Sequence, residues 1–361
     1  MHTILKEDID QILREPLPWE KLKGTHVLIT GASGMLGSYI TNVLLALNEQ
    51  KQYGIQVTAL VRHPEKLSPE VRDQVQVLCQ SVTEPITLKG DSDKGSSKEN
   101  SFAGHAAERF DYIIHAASPA SPLIMKDEPV ETAAANVLGA YYTLQAAKDS
   151  KAKGYLFISS REIYGQPYEG QEFFTEDTYG FVDPLSPRSC YPEGKKAAEN
   201  LCMCFQQEYG LNVKIARLAH TLGPGMSIDD GRVQADFLRN VVRHENIVLK
   251  SEGKPIRTYT YVADAVSALF YILLKSEDVV YNISSEDATV SIRQLAQTMA
   301  DAFPERGLKV VFDIPKETKN TGAAPFTLGI LKADKLKEIG WKPRHSLTEG
   351  IRRTVAYLEG T

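Results

Sequence analysis

Short apolar runs alternate with longer stretches of helical spacing through the first half of this chain. His26 to Thr30 (HVLIT) is apolar and β-branched, the pattern of a strand buried on both faces of a parallel sheet. Ile55 to Val61 (IQVTALV), Val75 to Cys79, Phe110 to His115 (FDYIIH) and Gly154 to Ser160 (GYLFISS) repeat it. Helices are predicted over Ser38 to Leu47, Asn136 to Lys148 and Lys195 to Tyr209. Strands alternating with helices predict an α/β unit. Further on, Asp236 to Val242 and Val266 to Leu274 read as helices and Val279 to Ile283 as a short strand. Upstream, Leu5, Ile9, Ile12 and Leu13 stand at helical spacing until Pro16 and Pro18 end the run. That predicts a surface-packed N-terminal helix, either an accessory structural element or part of a subunit contact. Lys89 to Asn100 (KGDSDKGSSKEN) is polar and low in complexity, and predicts a flexible surface loop with no functional role.

Composition narrows the class. The 361 residues are 42% hydrophobic and 24% charged, as in ordinary globular proteins, and are enough for one large unit with a smaller lobe. A net charge of -5 provides no general attraction to nucleic acid or to anionic membranes. The most apolar stretch, Ala265 to Leu274, is flanked by Asp264 and Lys275 and is too short to span a bilayer. The N-terminus lacks a basic-then-apolar leader. Cys79, Cys190, Cys202 and Cys204 have neither zinc-like nor disulfide-framework spacing. A reduced cytoplasmic protein without a metal site is expected.

The first strand runs directly into Gly31-Ala32-Ser33-Gly34-Met35-Leu36-Gly37, and a helix follows. Gly31 permits the tight turn, Gly34 lets the backbone approach a ligand, and Gly37 lets helix and strand pack closely. The free N–H groups of this helix start, with Ser33, Met35 and Leu36 around them, suit a pyrophosphate. The spacing is G-x-x-G-x-x-G rather than G-x-G-x-x-G, yet its strand–turn–helix setting predicts a dinucleotide site. The second strand ends in Val61-Arg62, where an acidic residue normally grips the adenosine ribose. Arg62 suits a 2′-phosphate and locally favours NADP over NAD; a solvated charge or a stack on adenine is equally open. Gln80-Ser81-Val82 is a candidate adenine contact. Ala116, Ala117 and Ser118 close the fourth strand with small residues at the ligand end of such a sheet.

Ser159-Ser160-Arg161-Glu162 ends the fifth strand, and Cys190-Tyr191-Pro192-Glu193-Gly194-Lys195 opens the next helix. Tyr191 and Lys195, four apart, share a helix face. A phenol near pKa 10 is a poor base at neutral pH, and a neighbouring ammonium stabilises its phenolate. The strand-end serine, the Y-x-x-x-K pair and the glycine turn predict hydride-transfer chemistry with a nicotinamide cofactor.

From about residue 24 to 358 the chain resembles the extended short-chain dehydrogenase/reductases of the NAD-dependent epimerase/dehydratase family. Within that family the UDP-glucuronate decarboxylases (UDP-xylose synthases) are most similar. The resemblance rests on HAASPASP (115–122), SSREIYG (159–165), PRSCYPEGKKAAE (187–199), DDGRV (229–233), RTYTYVAD (257–264) and GWKPRHSLTEGIRRTV (340–355). It implies a Rossmann-type doubly wound parallel sheet with a smaller C-terminal substrate-binding lobe. The expected division is 1–22 as a helical extension, 23–216 with 254–283 as the cofactor domain, and 217–253 with 284–361 as the smaller lobe. It implies Ser160 as the catalytic hydroxyl, Tyr191 as base, Lys195 as its partner and Glu162 near sugar C5. Arg257 and Arg232 are implied at the substrate; Ser118 and Arg188 are further candidates there, and Asn136 is one for the cofactor. NAD as cofactor, with NADP open, a nucleotide-sugar substrate and a homodimer follow from the same likeness.

Departures from the family pattern fall on the substrate side. The decarboxylases have a small serine where this chain has Arg161. Their asparagine in the R-x-F-N-T-F-G-P-R stretch is His220 within RLAHTLGPG (217–225), and its closing arginine is Gly225. Their tyrosine-bearing loop after SPASP is replaced by Leu123-Ile124-Met125-Lys126. Arg161 and His220 are therefore candidate substrate contacts, with a structural ion pair and a satisfied core histidine as the plain alternatives. The implied chemistry is transient oxidation at C4 followed by decarboxylation, elimination or epimerisation at C5. An NADPH-dependent carbonyl reductase and a non-catalytic dinucleotide-binding regulator are the rival readings.

Overall fold

The computed structural model describes residues 2–88, 109–314 and 326–360; the loop expected over Lys89 to Asn100 lies outside them. The first part of the chain runs α1 (Thr3–Leu13), β1 (His26–Thr30), α2 (Met35–Lys51), β2 (Gln56–Val61), α3 (Pro69–Arg72) and β3 (Gln76–Cys79). Then come β4 (Tyr112–His115), α4 (Pro122–Asp127), α5 (Pro129–Ser150), β5 (Gly154–Ser160), α6 (Cys190–Tyr209) and β6 (Val213–Leu218). With β10 (Val280–Ile283), these strands form one seven-stranded sheet in the order β10-β6-β5-β4-β1-β2-β3. Every neighbouring pair is parallel.

Burial explains the apolar runs. Val27 and Ile29 of β1 pack into the core shared with α1 and α2, whereas Leu28 packs with α5 and α6 on the opposite face. A strand covered on both sides has no polar face, so its sequence does not alternate. The order reverses between β1 and β4, which opens the crevice where such sheets take ligands.

The smaller lobe contains β7 (His220–Leu222), α7 (Val233–Val242), β8 (Ile247–Leu249) and β9 (Ile256–Tyr261). After α8 (Val262–Lys275) and β10 it continues through β11 (Thr289–Ser291), α9 (Ile292–Asp301), β12 (Val310–Phe312), β13 (Leu328–Gly329), α10 (Asp334–Glu338) and α11 (Leu347–Glu359). Strand β9 pairs with β7, β11 and β13, away from the main sheet. The return expected from residue 254 therefore begins only with α8, because the edges of β9 are already occupied.

The N-terminal helix is no surface appendage. Ile9 and Ile12 of α1 are buried in the main core, and Asp8 is fully buried. The Asp8 carboxylate accepts from the Tyr39 hydroxyl of α2 (2.8 Å), the Tyr261 hydroxyl (2.7 Å) and Arg353 Nη2 of α11 (2.7 Å). Glu15, just beyond α1, accepts from the Tyr271 hydroxyl at 2.9 Å and from Arg344. This brace joins the glycine-turn helix to the C-terminal helix, so residues 2–22 belong to the folded body.

Candidate active site

The glycine turn is built to near contact. Gly31 has φ +67°, and a Cβ there would lie 2.8 Å from Ala117 Cα. A Cβ on Gly37 would lie 2.2 Å from the Gly31 carbonyl oxygen. Gly34 caps α2 without a side-chain hydrogen bond, which leaves the first N–H groups of the helix to a ligand. Thr30 holds the facing wall: its hydroxyl meets His115 Nδ1 at 2.7 Å and accepts from the Ala117 amide at 3.1 Å. Side-chain-free walls at a helix N-terminus fit a dinucleotide pyrophosphate. Ser33, Met35 and Leu36 surround this start and are partly exposed. Arg62 is exposed just past β2, beside β3.

Two of the expected cofactor contacts are turned into the protein. The Val82 side chain is buried in the core under α5, against Gly139, so only its backbone faces outward. Neighbouring Ser81 bonds Thr83 at 2.8 Å. Asn136 is fully buried; its amide nitrogen donates to the Thr132 carbonyl and its oxygen accepts from Ser118, each at 2.8 Å. The expected substrate contact Ser118 is thereby tied to α5.

At the end of β5 the two serines divide. Ser159 donates to Glu199 at 2.6 Å, within a buried network in which Arg217 Nη2 meets Glu199 at 2.7 Å and Arg217 Nη1 meets the Tyr164 hydroxyl at 2.9 Å. Ser160 faces the other way, accepts from the Glu162 amide at 3.2 Å, and lies near enough to the Tyr191 phenol to lower its pKa. Glu199 escaped the sequence reading, although its place four residues after Lys195 put it on the same helix face.

Tyr191 and Lys195 are both buried on α6. Lys195 Nζ donates to the Ile158 carbonyl at 2.8 Å and lies 5.8 Å from the Tyr191 ring centroid. Burial pushes the lysine down to about 7, opposed by Glu199. The phenol is pushed up to about 12 by burial and by the Glu162 charge, against the lowering effects of Ser160, Arg232 and Arg188. The expected phenolate-stabilising ammonium is thus outweighed by desolvation of both groups.

Glu162 is gripped by Arg188, whose Nη2 lies 3.0 Å from each carboxylate oxygen. Arg232 reaches across the crevice from the smaller lobe, donating to the Ala120 carbonyl at 2.7 Å and pairing with Asp230 at 3.1 Å. Arg257 is buried and gives its donors to the carbonyls of Ile256 (2.9 Å), Thr327 (3.3 Å) and Phe326. Arg161 is 2% exposed and has no carboxylate partner among the described residues; Nη2 donates to the carbonyls of Gly165 and Leu328. His220 lies 5.5 Å from the Tyr259 ring. Its imidazole is pushed well below the usual range by burial and by Arg161, Arg257 and Arg232, so it is uncharged. The replacement loop after SPASP forms α4, with Met125 buried and Leu123 and Ile124 exposed.

Comparison with known proteins agrees with this geometry. Residues 27–284 match the model of the NAD dependent epimerase/dehydratase family. UDP-glucuronic acid decarboxylase 6 of Arabidopsis thaliana is 30% identical over 330 residues, covering 90% of this chain and 86% of the relative. UDP-glucuronic acid decarboxylase 1 of Xenopus tropicalis is 28% identical, covering 92% and 72%. Among solved structures, UDP-glucose 4-epimerase of Thermotoga maritima, determined with UDP-glucose, superposes with a TM-score of 0.74 at 25% identity, covering 92% and 98%.

Proposed function

The chain belongs to the NAD-dependent epimerase/dehydratase family, and from that premise we propose that it binds a nucleoside-diphosphate sugar between its lobes and works through transient oxidation at sugar C4. The observation that carries this reading is the buried Tyr191 phenol, with the Ser160 hydroxyl near it and Lys195 one helical turn away. NAD, when bound, supplies the hydride acceptor for C4 and a positive charge beside the phenol. Tyr191 takes the proton of O4 while Ser160 hydrogen-bonds the same oxygen. Lys195 holds the nicotinamide ribose, its ammonium oriented by the Ile158 carbonyl.

The relatives favour a UDP-uronate whose carboxylate leaves as CO₂. The C5–C6 bond breaks and CO₂ leaves, its electron pair passes into the C4 ketone as an enolate, C5 takes a proton, and C4 then recovers the hydride while O4 recovers its proton from Tyr191. Glu162, two residues after Ser160, orders the water that carries that proton. The same carboxylate, paired with Arg188, also suits removal of a C5 proton, and elimination or epimerisation is the second reading. Arg232 and Arg257 serve the phosphates. The working form is a cytoplasmic homodimer; four free cysteines and the exposed Leu138, Tyr141 and Met203 on α5 and α6 support it. Among the described residues no helix is long and apolar enough to cross a membrane.

The test is incubation of the purified protein with UDP-glucuronate, UDP-glucose and dTDP-glucose, followed by mass spectrometry and NMR of the products. A product of UDP-glucuronate lacking CO₂, formed without added NADH or NADPH, is expected. Turnover that consumes NADPH stoichiometrically would establish the carbonyl-reductase alternative instead.

A further inference from the structure

Among the described residues, the end of β5 gathers three arginines, Arg161, Arg188 and Arg257, around one carboxylate, Glu162. The Arg161 guanidinium is buried, 5.1 Å from the Phe326 ring, and its two carbonyl contacts are long, 3.4 Å to Gly165 and 3.3 Å to Leu328. Its Nε and Nη1 have no hydrogen-bond partner among the described residues. The charges acting on it are Arg257 first, then Glu162 and Arg188. Glu162 is already held by Arg188. His220 Nδ1 and the Tyr259 hydroxyl, paired across β7 and β9, are buried and likewise without partners. The arrangement is built rather than incidental: a Cβ on Gly329 would lie 3.1 Å from Arg257 Cδ and 3.4 Å from Arg161 Cζ. Strand β13 thus passes close to both side chains.

A buried guanidinium with idle donors and no counterion is costly, and an anion repays the cost. The place of Arg161 in the chain indicates which anion. It opens the turn Arg161–Tyr164 directly after Ser160, and its guanidinium feels the charges of Glu162 and Arg188. In a hexose ring the C5 substituent is the next neighbour of C4, whereas the diphosphate on C1 is across the ring. We propose that Arg161 is the specificity-determining residue of this site and that it selects a nucleoside-diphosphate sugar carrying a carboxylate at C5. His220 and Tyr259 provide the remaining polar contacts of that pocket. This rests on the nucleotide-sugar reading above.

The test is calorimetric binding of UDP, UDP-glucose and UDP-glucuronate to the NAD-loaded protein, with Tyr191→Phe as background so that no turnover contributes heat. With Arg161 intact, UDP-glucuronate binds roughly ten- to a hundredfold tighter than UDP-glucose, the value of charge-assisted hydrogen bonds. Arg161→Gln brings UDP-glucuronate to the level of UDP-glucose and leaves UDP within about twofold, the scale of a lost neutral contact. A preference that survives Arg161→Gln, or an equal weakening of all three ligands, overturns the proposal; the latter assigns Arg161 to the diphosphate. If none of the three binds with Arg161 intact, the nucleotide-sugar reading fails and this inference with it. Should the glutamine variant not fold, Arg161→Lys decides. A reduced preference with unchanged UDP binding supports the assignment, and a loss of UDP binding overturns it.

Discussion

Arg188 holds the Glu162 carboxylate at 3.0 Å, with both side chains about 15% exposed at the mouth of the site. A pair this sheltered is more than surface decoration. Glu162→Gln keeps the shape and removes the base, so the first oxidation proceeds and the later step stalls. The expected result is reduced-nicotinamide absorbance that rises and does not fall back. Normal turnover in this variant would remove Glu162 from the chemistry. Arg188→Met leaves the carboxylate without its partner and is expected to cost about 1–3 kcal/mol in urea unfolding, less than a fully buried pair.

Tyr191→Phe retains NAD and fold but lowers turnover at least about 10²-fold, as expected for loss of a general base. Cofactor content and circular dichroism of the variant separate a chemical loss from misfolding. Near-normal turnover would exclude the phenol as the base.

Lys195 makes stability depend on pH. Its folded-state pKa, about 7, lies below the ordinary value of 10.5, so between these the unfolded chain binds more protons. Stability therefore rises with pH across that window, and the penalty for burying the ammonium is complete below about pH 7. Relative to Lys195→Met, the native protein should gain at least about 1 kcal/mol between pH 7 and pH 10, since each pKa unit is worth about that much. Thermal unfolding of both proteins across this range measures it. A pH-independent difference would show that Lys195 is not desolvated.

Asp8→Ala should cost about 2–4 kcal/mol in chemical denaturation, because it leaves the Tyr39 and Tyr261 hydroxyls without their acceptor and takes from Arg353 one of its carboxylate partners. Tyr39→Phe removes one of those hydrogen bonds and should cost only about 1 kcal/mol. If Asp8→Ala is nearly neutral, α1 is not the brace described above.

Arg62 is exposed directly after the last residue of β2. If it meets a 2′-phosphate, Arg62→Ala weakens NADP by about 1.5–3 kcal/mol and leaves NAD nearly unchanged. Equal effects on both dinucleotides in a fluorescence titration would assign it to the ribose or adenine instead.

Local patterns were legible in the sequence where the physics is local. The apolar run of β1, the three glycines and the four-residue spacing of Tyr191 and Lys195 each express a short-range rule, so the strand, the glycine turn and the helix carrying Tyr191 and Lys195 stand where the sequence indicated. Element ends were less legible: α5 begins at Pro129 rather than Asn136, and α6 at Cys190 rather than Lys195. Polar and proline-containing first turns carry no apolar periodicity. Tertiary structure alone decided the rest. Nothing near Asp8 in the chain reveals that Tyr39, Tyr261 and Arg353 converge on it, and nothing near Ser159 reveals its bond to Glu199. Val82 follows β3 and Asn136 lies within α5, and packing against Gly139, Ser118 and Thr132 turns their side chains inward. Arg161 and His220 could be read as departures from a family pattern, but their shared pocket with Arg257 exists only because β5, β7, β9 and β13 meet there. Charge acts through space, and a sequence orders residues only along the chain.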